Sequence, residues 1–300
     1  MTEMVDANDF RYMAQAIRLA ERGMYTTDPN PRVGCVLVKN NEVVGEGWHE
    51  RAGEPHAEIM ALNQAGEKAK DSDAYVSLEP CCHHGKTPPC SDALIKAGVS
   101  RVVVAMEDPN PQVAGKGISQ LRSAGIEVDV GILTAQAESL NPGFIRRMQQ
   151  GRPFVRCKMA MSLDGRTAMA SGESQWITGE AARQDAHRLR ARSSAIITGI
   201  GTVSSDNPSM NARLENEKVI QPLRIVLDSQ LSINNDAKMI ALPGRTVVCT
   251  ICRDEDKIKT IQSSGIEVVL LEEENGKVSL SSLMDYLNDQ QVNEVLLEAG

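Results

Sequence analysis

The sequence predicts an α/β protein that is divided into two domains. Three observations lead to this prediction. The chain has 300 residues, about twice the usual domain size, so each half is long enough to bury its own core. Strand-like and helix-like stretches alternate in both halves, which is the pattern of helices that cover a sheet. The alternation is interrupted near Gln150 by NPGFIRRMQQGRPF, which predicts domains at residues 1–150 and 151–300.

The composition excludes several classes of protein. Hydrophobic residues make up 41% of the chain and charged residues 24%, as in ordinary globular proteins and unlike disordered or fibrous ones. The net charge of −8 gives no basic field for nucleic acid. The sequence shows no long apolar run and no export signal, so we expect a cytoplasmic protein that binds no membrane. In that compartment the seven cysteines are expected as reduced thiols or as metal ligands.

The first half begins with a helix and a hairpin. Apolar residues recur at helical spacing over residues 8–23, where a glycine ends the helix. Residues 33–48 predict a β-hairpin, because two apolar strands flank Asn40 and Asn41, which tolerate a positive φ. The next helix, 55–66, begins with a proline, which suits the first turn. The first half is completed by strands at 74–80, 101–106 and 126–132 and by helices at 91–98 and 117–125.

The second half contains six predicted strands that are separated by helical or loop stretches. Their apolar runs predict a mainly parallel sheet. A Gly199-x-Gly201 pair is weak evidence for a dinucleotide site, because Ser204 stands where a third glycine is needed. No helix or strand follows the last predicted strand, so the second domain is expected to be incomplete at its C-terminus. The strands are expected at 154–161, 195–200, 223–229, 245–250, 266–271 and 293–298.

Soft metal ligands are concentrated in EPCCHHGKTPPC, residues 79–90. A catalytic zinc ion takes three protein ligands and one open position. His56 lies at a helix start, Cys81 follows a strand, and Cys90 lies at the next helix start, where the helix dipole lowers the pKa of a thiol. We therefore predict that these three side chains converge on one zinc ion. Cys82 is a rival ligand, and a disulfide or a purely structural zinc site is the alternative.

The order His-x-Glu, then Pro-Cys, then a second cysteine is typical of zinc-dependent nucleobase deaminases. In those enzymes the glutamate carries a proton, so Glu58 is the predicted catalytic residue. Zinc lowers the pKa of its water from about 16 to about 7, and Glu58 would pass the proton to the leaving amino group. The spacing departs from the usual Cys-x-x-Cys, because Cys81 and Cys90 lie nine positions apart. In the structural-zinc alternative, Glu58 is exposed and has no role.

Several polar residues near the cluster suit a polar or phosphorylated substrate. The inserted loop carries His83 and Lys86, and the amide of Asn30 offers both a donor and an acceptor to a heterocycle. His49 ends a hairpin strand and can face the same crevice. Each of these residues also has a structural explanation, as a solvated loop residue, a turn former between prolines or a packing residue. Trp48, beside His49, is expected in the core.

Longer stretches of the chain are similar to one family. Six segments closely resemble the RibD family of bifunctional riboflavin-biosynthesis proteins: NPRVGCV, GEGWHERAGEPHAE, VSLEPCCHHGKTPPC, MEDPNPQVAGKG, SLDGRTAMASGESQWIT and LLEAG. The resemblance covers essentially the whole chain, and the family fuses a pyrimidine deaminase to a reductase. It therefore implies a cytidine-deaminase-like α/β/α domain followed by a dihydrofolate-reductase-like α/β domain.

The resemblance also implies roles for residues of the first domain. The residues that match His56, Cys81 and Cys90 hold zinc in the family, and the one that matches Glu58 is the proton donor. The nine-position spacing of the two cysteines is that of the family. Cys82 stands where a serine is common and is expected to bind nothing. The matching substrate contacts are Asn30, His49, His83 and Lys86.

In the second domain the resemblance implies an NADPH site and a site for a ribose phosphate. Arginines suit a phosphate, but surface ion pairs explain them as well, and Trp176 is equally well explained as a core residue. In the family a glycine-rich segment after EAG grips the cofactor phosphates, so a chain that ends at Gly300 is expected to have a weak or inactive reductase. The matching cofactor contacts are Ala160, Trp176, Thr202, Asp206 and Ser229, and the matching substrate contacts are Ser174, Arg190, Met210, Arg213 and Glu298.

The implied function is two consecutive steps of one pathway. Zinc hydroxide removes the 2-amino group of 2,5-diamino-6-(5-phosphoribosylamino)pyrimidin-4-one, and NADPH then reduces the ribose of 5-amino-6-(5-phosphoribosylamino)uracil. The implied cofactors are Zn²⁺ and NADPH, and the partner is a small phosphorylated pyrimidine. We also expect a homo-oligomer. The alternatives are a zinc deaminase of another nucleoside or of a tRNA base with an accessory domain, and a zinc-stabilised interaction protein. Cys249 and Cys252 lack partner ligands and are expected to pack.

Overall fold

A computed structural model of the chain describes residues 6–83, 88–174, 176–215 and 217–298. The chain divides into two compact units, Met1–Gln150 and Gly151–Gly300. Within the described ranges, no helix is both long enough and apolar enough to cross a bilayer.

The first unit is a mixed sheet with helices on both of its faces. Its elements are α1 (Ala7–Glu21), β1 (Gly34–Lys39), β2 (Glu42–Trp48), α2 (Ala57–Ala65), a 3₁₀ turn (Gly66–Ala69), β3 (Asp73–Val76), α3 (Cys90–Ala97), β4 (Arg101–Val104), α4 (Lys116–Ser123), β5 (Glu127–Val130), α5 (Thr134–Leu140) and α6 (Pro142–Gln150). Over the described residues its sheet has five strands in the order β2-β1-β3-β4-β5.

The strand directions create one edge suited to ligands. β1 and β2 form the predicted hairpin, which turns at Asn40 and Asn41, both with positive φ. β1 is also antiparallel to β3, whereas β3, β4 and β5 run parallel to one another. The carboxyl ends of the parallel strands therefore lie at one edge, where open α/β sheets bind their ligands. Cys81 lies in the loop that follows β3 at this edge.

Two hydrophobic layers hold the helices against this sheet. On one face, Met13 of α1 and Phe144 of α6 pack in a cluster with Val36 of β1. On the other face, α2, α3 and α4 pack through residues that include Ala61 and Leu94. The unit is therefore a three-layer α/β/α domain, as the sequence predicts.

Two glycines of β2 allow α2 to lie directly on the sheet. A Cβ atom at Gly47 would lie 2.3 Å from the carbonyl oxygen of Ala57 and 2.6 Å from the amide nitrogen of Ala61. A Cβ atom at Gly45 would lie 2.3 Å from the carbonyl oxygen of Ala61. Any side chain at these positions would push α2 away from β2. The start of α2 carries the predicted zinc ligand His56, so this close packing also places the site.

We expect Gly47→Ala to destabilise the first unit by about 1–3 kcal/mol, the usual cost of overpacking a tight contact. The measurement is the midpoint of urea unfolding followed by circular dichroism. Gly201→Ala serves as the control, because a Cβ atom there meets no atom within 4 Å. An unfolding midpoint that is unchanged in Gly47→Ala would contradict the close contact between α2 and β2.

An ion-pair network ties α1 to the edge of the sheet opposite to Cys81. Arg101 donates to both carboxylate oxygens of Asp9 at 3.0 Å and to Asp129 at 2.8 Å, and the hydroxyl of Tyr75 donates to Asp9 at 2.7 Å. Burial raises the pKa of Asp9, but the hydrogen bonds from Arg101 and Tyr75 outweigh it and hold this pKa below its usual value. A cavity of about 240 Å³ beside this network is lined by none of the predicted site residues.

The second unit is built on a parallel sheet. The elements of this unit are β6 (Phe154–Lys158), α7 (Glu180–Arg192), β7 (Ala195–Gly199), α8 (Ile200–Asp206), β8 (Leu223–Leu227), β9 (Thr246–Thr250), α9 (Glu255–Gln262), β10 (Glu267–Leu270), β11 (Glu273–Glu274), β12 (Lys277–Val278), α10 (Leu280–Asp289) and β13 (Glu294–Glu298). Over the described residues the sheet has six strands in the order β10-β9-β8-β7-β13-β6, and a small hairpin is formed by β11 and β12.

Helices cover both faces of the second sheet as well. All of its neighbouring strands run parallel, which agrees with the predicted parallel sheet. α8 and α9 pack on one face through Val203 and Ile261, and α10 packs on the other through Leu283. Cys249 is buried in the hydrophobic cluster beneath α10, and Cys252 is half-buried against the cluster beneath α8 and α9. Both cysteines therefore pack against hydrophobic residues.

Candidate active sites

Three elements of the first unit bring His56, Cys81 and Cys90 together. His56 is the N-cap of α2, Cys81 lies after β3, and Cys90 is the first residue of α3. The Nδ1 atom of His56 lies 3.6 Å from the Sγ of Cys81 and 3.3 Å from the Sγ of Cys90. All three ligand atoms lie within 4.8 Å of one another, and no further His, Cys, Asp or Glu of the described residues joins the group.

This donor set fits a zinc ion. Zn–S bonds of about 2.3 Å and Zn–N bonds of about 2.0–2.1 Å in a tetrahedral arrangement place the ligand atoms about 3.5 Å apart, close to the separations from the imidazole. One imidazole and two sulfurs leave one tetrahedral position for water or substrate. Cys82, the rival ligand, instead lies 4.0 Å from the carbonyl oxygen of Gln112 and stands outside the group.

The surroundings of Cys81 favour the thiolate, which is the form that binds a metal. The neighbouring Cys90 side chain lowers the pKa of Cys81, and the imidazole of His56 acts in the same direction. The pKa of Cys90 itself is raised by Cys81 and by burial, so the lowering expected from its place at a helix start is wrong. The backbone N–H of Cys90 also points to the Cys81 sulfur from 3.4 Å. The pKa of His56 is raised in turn by its hydrogen bond to Cys81.

Helix α2 begins two residues later than predicted, which leaves the zinc-ligand candidate His56 just outside the helix. The sequence predicts a helix from Pro55, but the helix begins at Ala57, because His56 keeps an extended backbone with ψ of 164°. Glu58 follows on the first turn and is only 3% exposed. The structural-zinc alternative assumes an exposed glutamate and is therefore wrong on this point.

Burial raises the pKa of Glu58 to about 7, and the nearby Cys81 adds to this effect. The Cys90 side chain acts on the pKa of Glu58 in the lowering direction, so the carboxyl group lies beside the ligand cluster. A carboxyl group with a pKa near neutrality can both accept and donate a proton at the working pH. The position and the pKa of Glu58 together suit proton transfer.

Asn30 and His49 form a hydrogen-bonded pair beside the cluster. The Nδ1 of His49 lies 3.1 Å from the carbonyl oxygen of Pro55, so Nδ1 carries the proton and Nε2 accepts from the Asn30 amide at 3.0 Å. Burial lowers the pKa of His49, which favours this neutral form. The ring centroids of His49 and His56 lie 5.2 Å apart. The pair therefore holds the Asn30 amide close to a predicted zinc ligand.

The other predicted substrate residues of the first unit belong to the loop before α3. His83 is exposed, and Lys86 lies outside the described residues. Trp48 is half-buried against the hydrophobic layer of α1, and the guanidinium of Arg22 lies 4.8 Å from its ring centroid.

Two residues that hold the cysteine cluster have no signal in the sequence. Ser91 donates to the carbonyl oxygen of Cys81 through its backbone N–H at 3.1 Å, and its hydroxyl lies 3.0 Å from the same oxygen. The hydroxyl also lies 2.9 Å from the Oε1 of Gln120, whose amide contacts Asp92. These bonds involve a backbone carbonyl and a distant helix, so no motif of residue types predicts them.

In the second unit, predicted reductase residues gather at the carboxyl edge of the sheet. Ala160 follows β6, Thr202 lies in α8 directly after β7, Ser229 follows β8, and Glu298 ends β13. These four strands are neighbours in the order β8-β7-β13-β6. The four residues therefore share one edge, where ligands of open α/β sheets bind.

A partly buried ion pair links α7 to the end of β13. Arg190 donates to both carboxylate oxygens of Glu298, at 2.6 and 2.7 Å, and the two side chains are only 17% and 14% exposed. The pair between Arg190 and Glu298 is therefore not a solvent-exposed ion pair, which was the alternative explanation for this arginine. Arg213 is exposed, donates to the side chain of Asn211 at 2.6 Å and lies 3.0 Å from the Nε2 of His187.

The remaining predicted residues of the second unit differ in exposure. Trp176 is 71% exposed beneath the guanidinium of Arg183, so its alternative role as a core residue is wrong. Ser174 and Asp206 are also exposed. The side chain of Met210 is buried in the core, so any contact with a substrate would have to come from its backbone, which has φ of 44°.

The carboxyl edge of the second sheet offers hydroxyl groups that fit a dinucleotide. The Oγ1 of Thr198, near the end of β7, is buried and has no hydrogen-bond partner in the described part of the chain. The hydroxyl of Ser229 accepts the N–H of Val278 at 3.2 Å, which leaves its own hydrogen to donate to a ligand. Such groups suit the phosphate and ribose oxygens of NADPH.

Known protein families and curated proteins are similar in sequence to this chain. Residues 6–106 match the cytidine and deoxycytidylate deaminase zinc-binding region, and residues 153–300 match the RibD C-terminal domain. The chain is 50% identical to riboflavin biosynthesis protein RibD of Escherichia coli K12, over 97% of this chain and 82% of that protein. The chain belongs to the RibD family. It is also 49% identical to RibD of Haemophilus influenzae, over 98% of this chain and 80% of that protein.

Solved RibD structures have the same fold. The structure called Acinetobacter baumannii RibD, form 1, gives a TM-score of 0.90 at 49% identity, over 98% of this chain and 81% of that one. A deaminase/reductase structure from Thermotoga maritima gives 0.86 at 34% identity, over 98% and 81%. The predicted fold class, a cytidine-deaminase-like domain followed by a dihydrofolate-reductase-like domain, is therefore confirmed.

As a RibD-family member, the chain is a bifunctional deaminase and reductase of riboflavin biosynthesis, with zinc and NADPH as cofactors. This identification confirms the predicted function. It also decides against the zinc-stabilised interaction protein and against the deaminase with a merely accessory second domain.

Proposed function

We propose that this RibD-family chain hydrolyses the 2-amino group from 2,5-diamino-6-(5-phosphoribosylamino)pyrimidin-4-one and then reduces the ribose of 5-amino-6-(5-phosphoribosylamino)uracil to a ribityl chain. The observation that carries the proposal is the convergence of His56, Cys81 and Cys90 beside the buried Glu58. The deaminase occupies residues 1–150, and the reductase occupies residues 151–300. The Thermotoga maritima relative is named for the same two activities.

In the deaminase, His56, Cys81 and Cys90 would hold the zinc ion, which would supply a water molecule of lowered pKa for attack on the ring carbon. Glu58 would accept a proton from that water as its oxygen bonds to the carbon, and would donate the proton to the amino group as the C–N bond breaks, so that ammonia leaves and a carbonyl remains. The burial of Glu58 supports this role, because its raised pKa allows both transfers.

The pyrimidine is held by Asn30 and its neighbours. One N–H of the Asn30 amide donates to His49, which leaves the Oδ1 atom and the second N–H for the edge of the heterocycle. His49 fixes the orientation of this amide, because its own Nδ1 is bound to the carbonyl oxygen of Pro55. His83 and Lys86 bind the ribose phosphate side of the substrate.

In the reductase, NADPH supplies the hydride, and the protein positions it against the ribose. The ion pair between Arg190 and Glu298 supports a substrate role for both residues, because it places a partly buried charged group at the carboxyl edge of the sheet. Arg213 adds a positive charge for the phosphate. The remaining substrate contacts are Ser174 and Met210, and the cofactor contacts are Ala160, Trp176, Thr202, Asp206 and Ser229.

The proposal is tested by incubating the protein with each pyrimidine, with and without NADPH, while ammonia and the absorbance of NADPH are followed separately. We expect ammonia only from the diamino substrate and without any need for NADPH. We expect any NADPH oxidation to depend on the deaminated substrate. Ammonia release that requires NADPH, or no ammonia release from a zinc-loaded protein, would contradict the proposal.

We further propose that the chain acts in the cytoplasm as a homo-oligomer. None of its seven cysteines, which all lie within the described ranges, forms a disulfide, and this suits a reducing compartment. Exposed apolar side chains at Met159 and Leu163 support a contact surface. Light scattering at micromolar concentration checks the oligomer, and a monomer there would contradict it.

A further inference from the structure

We propose that Glu79 is a positioning residue that fixes the backbone at Cys81 and thereby sets the zinc affinity of the deaminase site. This inference rests on the zinc site of the proposed function and adds to it a residue that touches neither the metal nor the substrate. Glu79 precedes Pro80 and Cys81, and it is 3% exposed.

Within the described part of the chain, the hydrogen-bond partners of the Glu79 carboxylate are all backbone groups. Among the described residues, its Oε2 accepts the N–H groups of Asp108 at 3.1 Å and Gly115 at 2.9 Å. Its Oε1 accepts the N–H groups of Gly117 at 2.9 Å and Ile118 at 3.1 Å. These donors belong to the loop between β4 and α4 and to the first turn of α4. The negative charge therefore also faces the positive end of that helix.

Only Pro80 separates Glu79 from Cys81 in the chain, so a shift of Glu79 would be passed on to Cys81. A Cβ atom at Gly117 would lie 2.1 Å from the carbonyl oxygen of Pro80, so α4 packs directly on the backbone between Glu79 and Cys81. The backbone N–H of Glu79 donates to the carbonyl oxygen of Met106 at 3.0 Å. Both the backbone and the side chain of Glu79 are therefore fixed. Cys81, two residues later in the chain, is attached to this rigid segment.

A second contact joins α4 to the same cysteine. The side chain of Gln120 in α4 lies 2.9 Å from the hydroxyl of Ser91, which lies 3.0 Å from the carbonyl oxygen of Cys81. Ser91 directly follows Cys90, the other sulfur ligand. α4 therefore supports both cysteines, through Glu79 on one side and through Gln120 and Ser91 on the other.

The chemistry of the four donors explains why a carboxylate is needed. An ionised carboxylate accepts hydrogen bonds at both of its oxygens, whereas an amide offers one oxygen and one NH₂ group. Glu79→Gln therefore keeps the size of the side chain but turns a donor toward two of the four backbone N–H groups. Buried donors without an acceptor are costly, so we expect the loop and Pro80 to shift and to move Cys81.

The test measures zinc affinity by competition with a chromophoric chelator for the wild type, Glu79→Gln and Asp9→Asn. Removal of a residue that orients metal ligands typically weakens metal binding about 10–100-fold, and we expect a loss in this range for Glu79→Gln. The absorption of the Co²⁺-substituted protein, which reports the thiolate geometry, is expected to change as well.

Asp9→Asn is the matched control. Asp9 is a carboxylate of the same unit and of the same 3% exposure, but its partners are Arg101 and Tyr75 at the opposite edge of the sheet. We expect it to lower the unfolding midpoint while zinc affinity and the Co²⁺ spectrum stay as in the wild type. A purely structural role of Glu79 would make the two variants behave alike.

A folded Glu79→Gln protein with wild-type zinc affinity would overturn the positioning role. If that variant does not fold, Glu79→Asp decides the question, because it keeps the charge and reaches fewer donors. Unchanged affinity in Glu79→Asp would then overturn the role, and an affinity loss with a stable fold would support it. Failure of the proposed function looks different, because the wild-type protein itself would then bind no zinc at this site.

Discussion

Glu58→Gln is expected to reduce ammonia release by about 10²–10⁴-fold, the range that a positioned acid-base group contributes. The amide has the size of the carboxyl group but can neither take the proton of the water nor return it. Zinc content and fold are expected to stay unchanged, because Glu58 does not belong to the ligand group. The measurements are the rate of ammonia release and the metal content per chain.

Glu67→Gln is the control for this variant. Glu67 is an exposed carboxylate on the turn that follows α2, so its loss removes a similar charge without touching the site. We expect it to release ammonia at the wild-type rate. Deamination by Glu58→Gln within a few-fold of the wild type would remove Glu58 from the proton transfer.

Cys90→Ala is expected to abolish zinc binding and deamination together. In this variant His56 and Cys81 are the only protein ligands left for zinc. Loss of a residue that merely orients a ligand weakens metal binding about 10–100-fold, so we expect Cys90→Ala to weaken zinc binding by more than this. NADPH oxidation with the deaminated substrate is expected to remain at the level of the parent chain, because the reductase residues lie in the other unit. Zinc titration and the two activity assays measure these outcomes.

Cys82→Ala is the matched control, because it removes the neighbouring thiol, which lies outside the ligand group. We expect it to bind one zinc ion and to deaminate as the parent chain does. The opposite pattern, with zinc lost in Cys82→Ala and kept in Cys90→Ala, would show that the rival cysteine is the ligand.

The zinc cluster could be predicted from sequence because its ligands are set by residue type and by element boundaries. Cys90 is expected at a helix start and begins α3, and Cys81 is expected after a strand and follows β3. The hairpin of β1 and β2 could be predicted for a similar local reason, since Asn40 and Asn41 take the positive φ that their residue type tolerates.

The support of the cluster could not be predicted, because it consists of bonds to backbone groups. Glu79 is bound by four N–H groups that any residue type would supply, and Ser91 binds a carbonyl oxygen. The ion pair between Arg190 and Glu298 joins residues 108 positions apart, which no local pattern reveals. In the second unit, residue types alone provide only the weak Gly199-x-Gly201 signal for a dinucleotide site. The reductase is therefore predicted from the family resemblance.

X-ray absorption at the zinc edge of the zinc-loaded protein tests the central claim most directly. The predicted result is one zinc ion per chain with two sulfurs at about 2.3 Å, one imidazole nitrogen at about 2.0–2.1 Å and one further light atom. Three or four sulfur ligands, or a zinc ion without an imidazole ligand, would contradict the account.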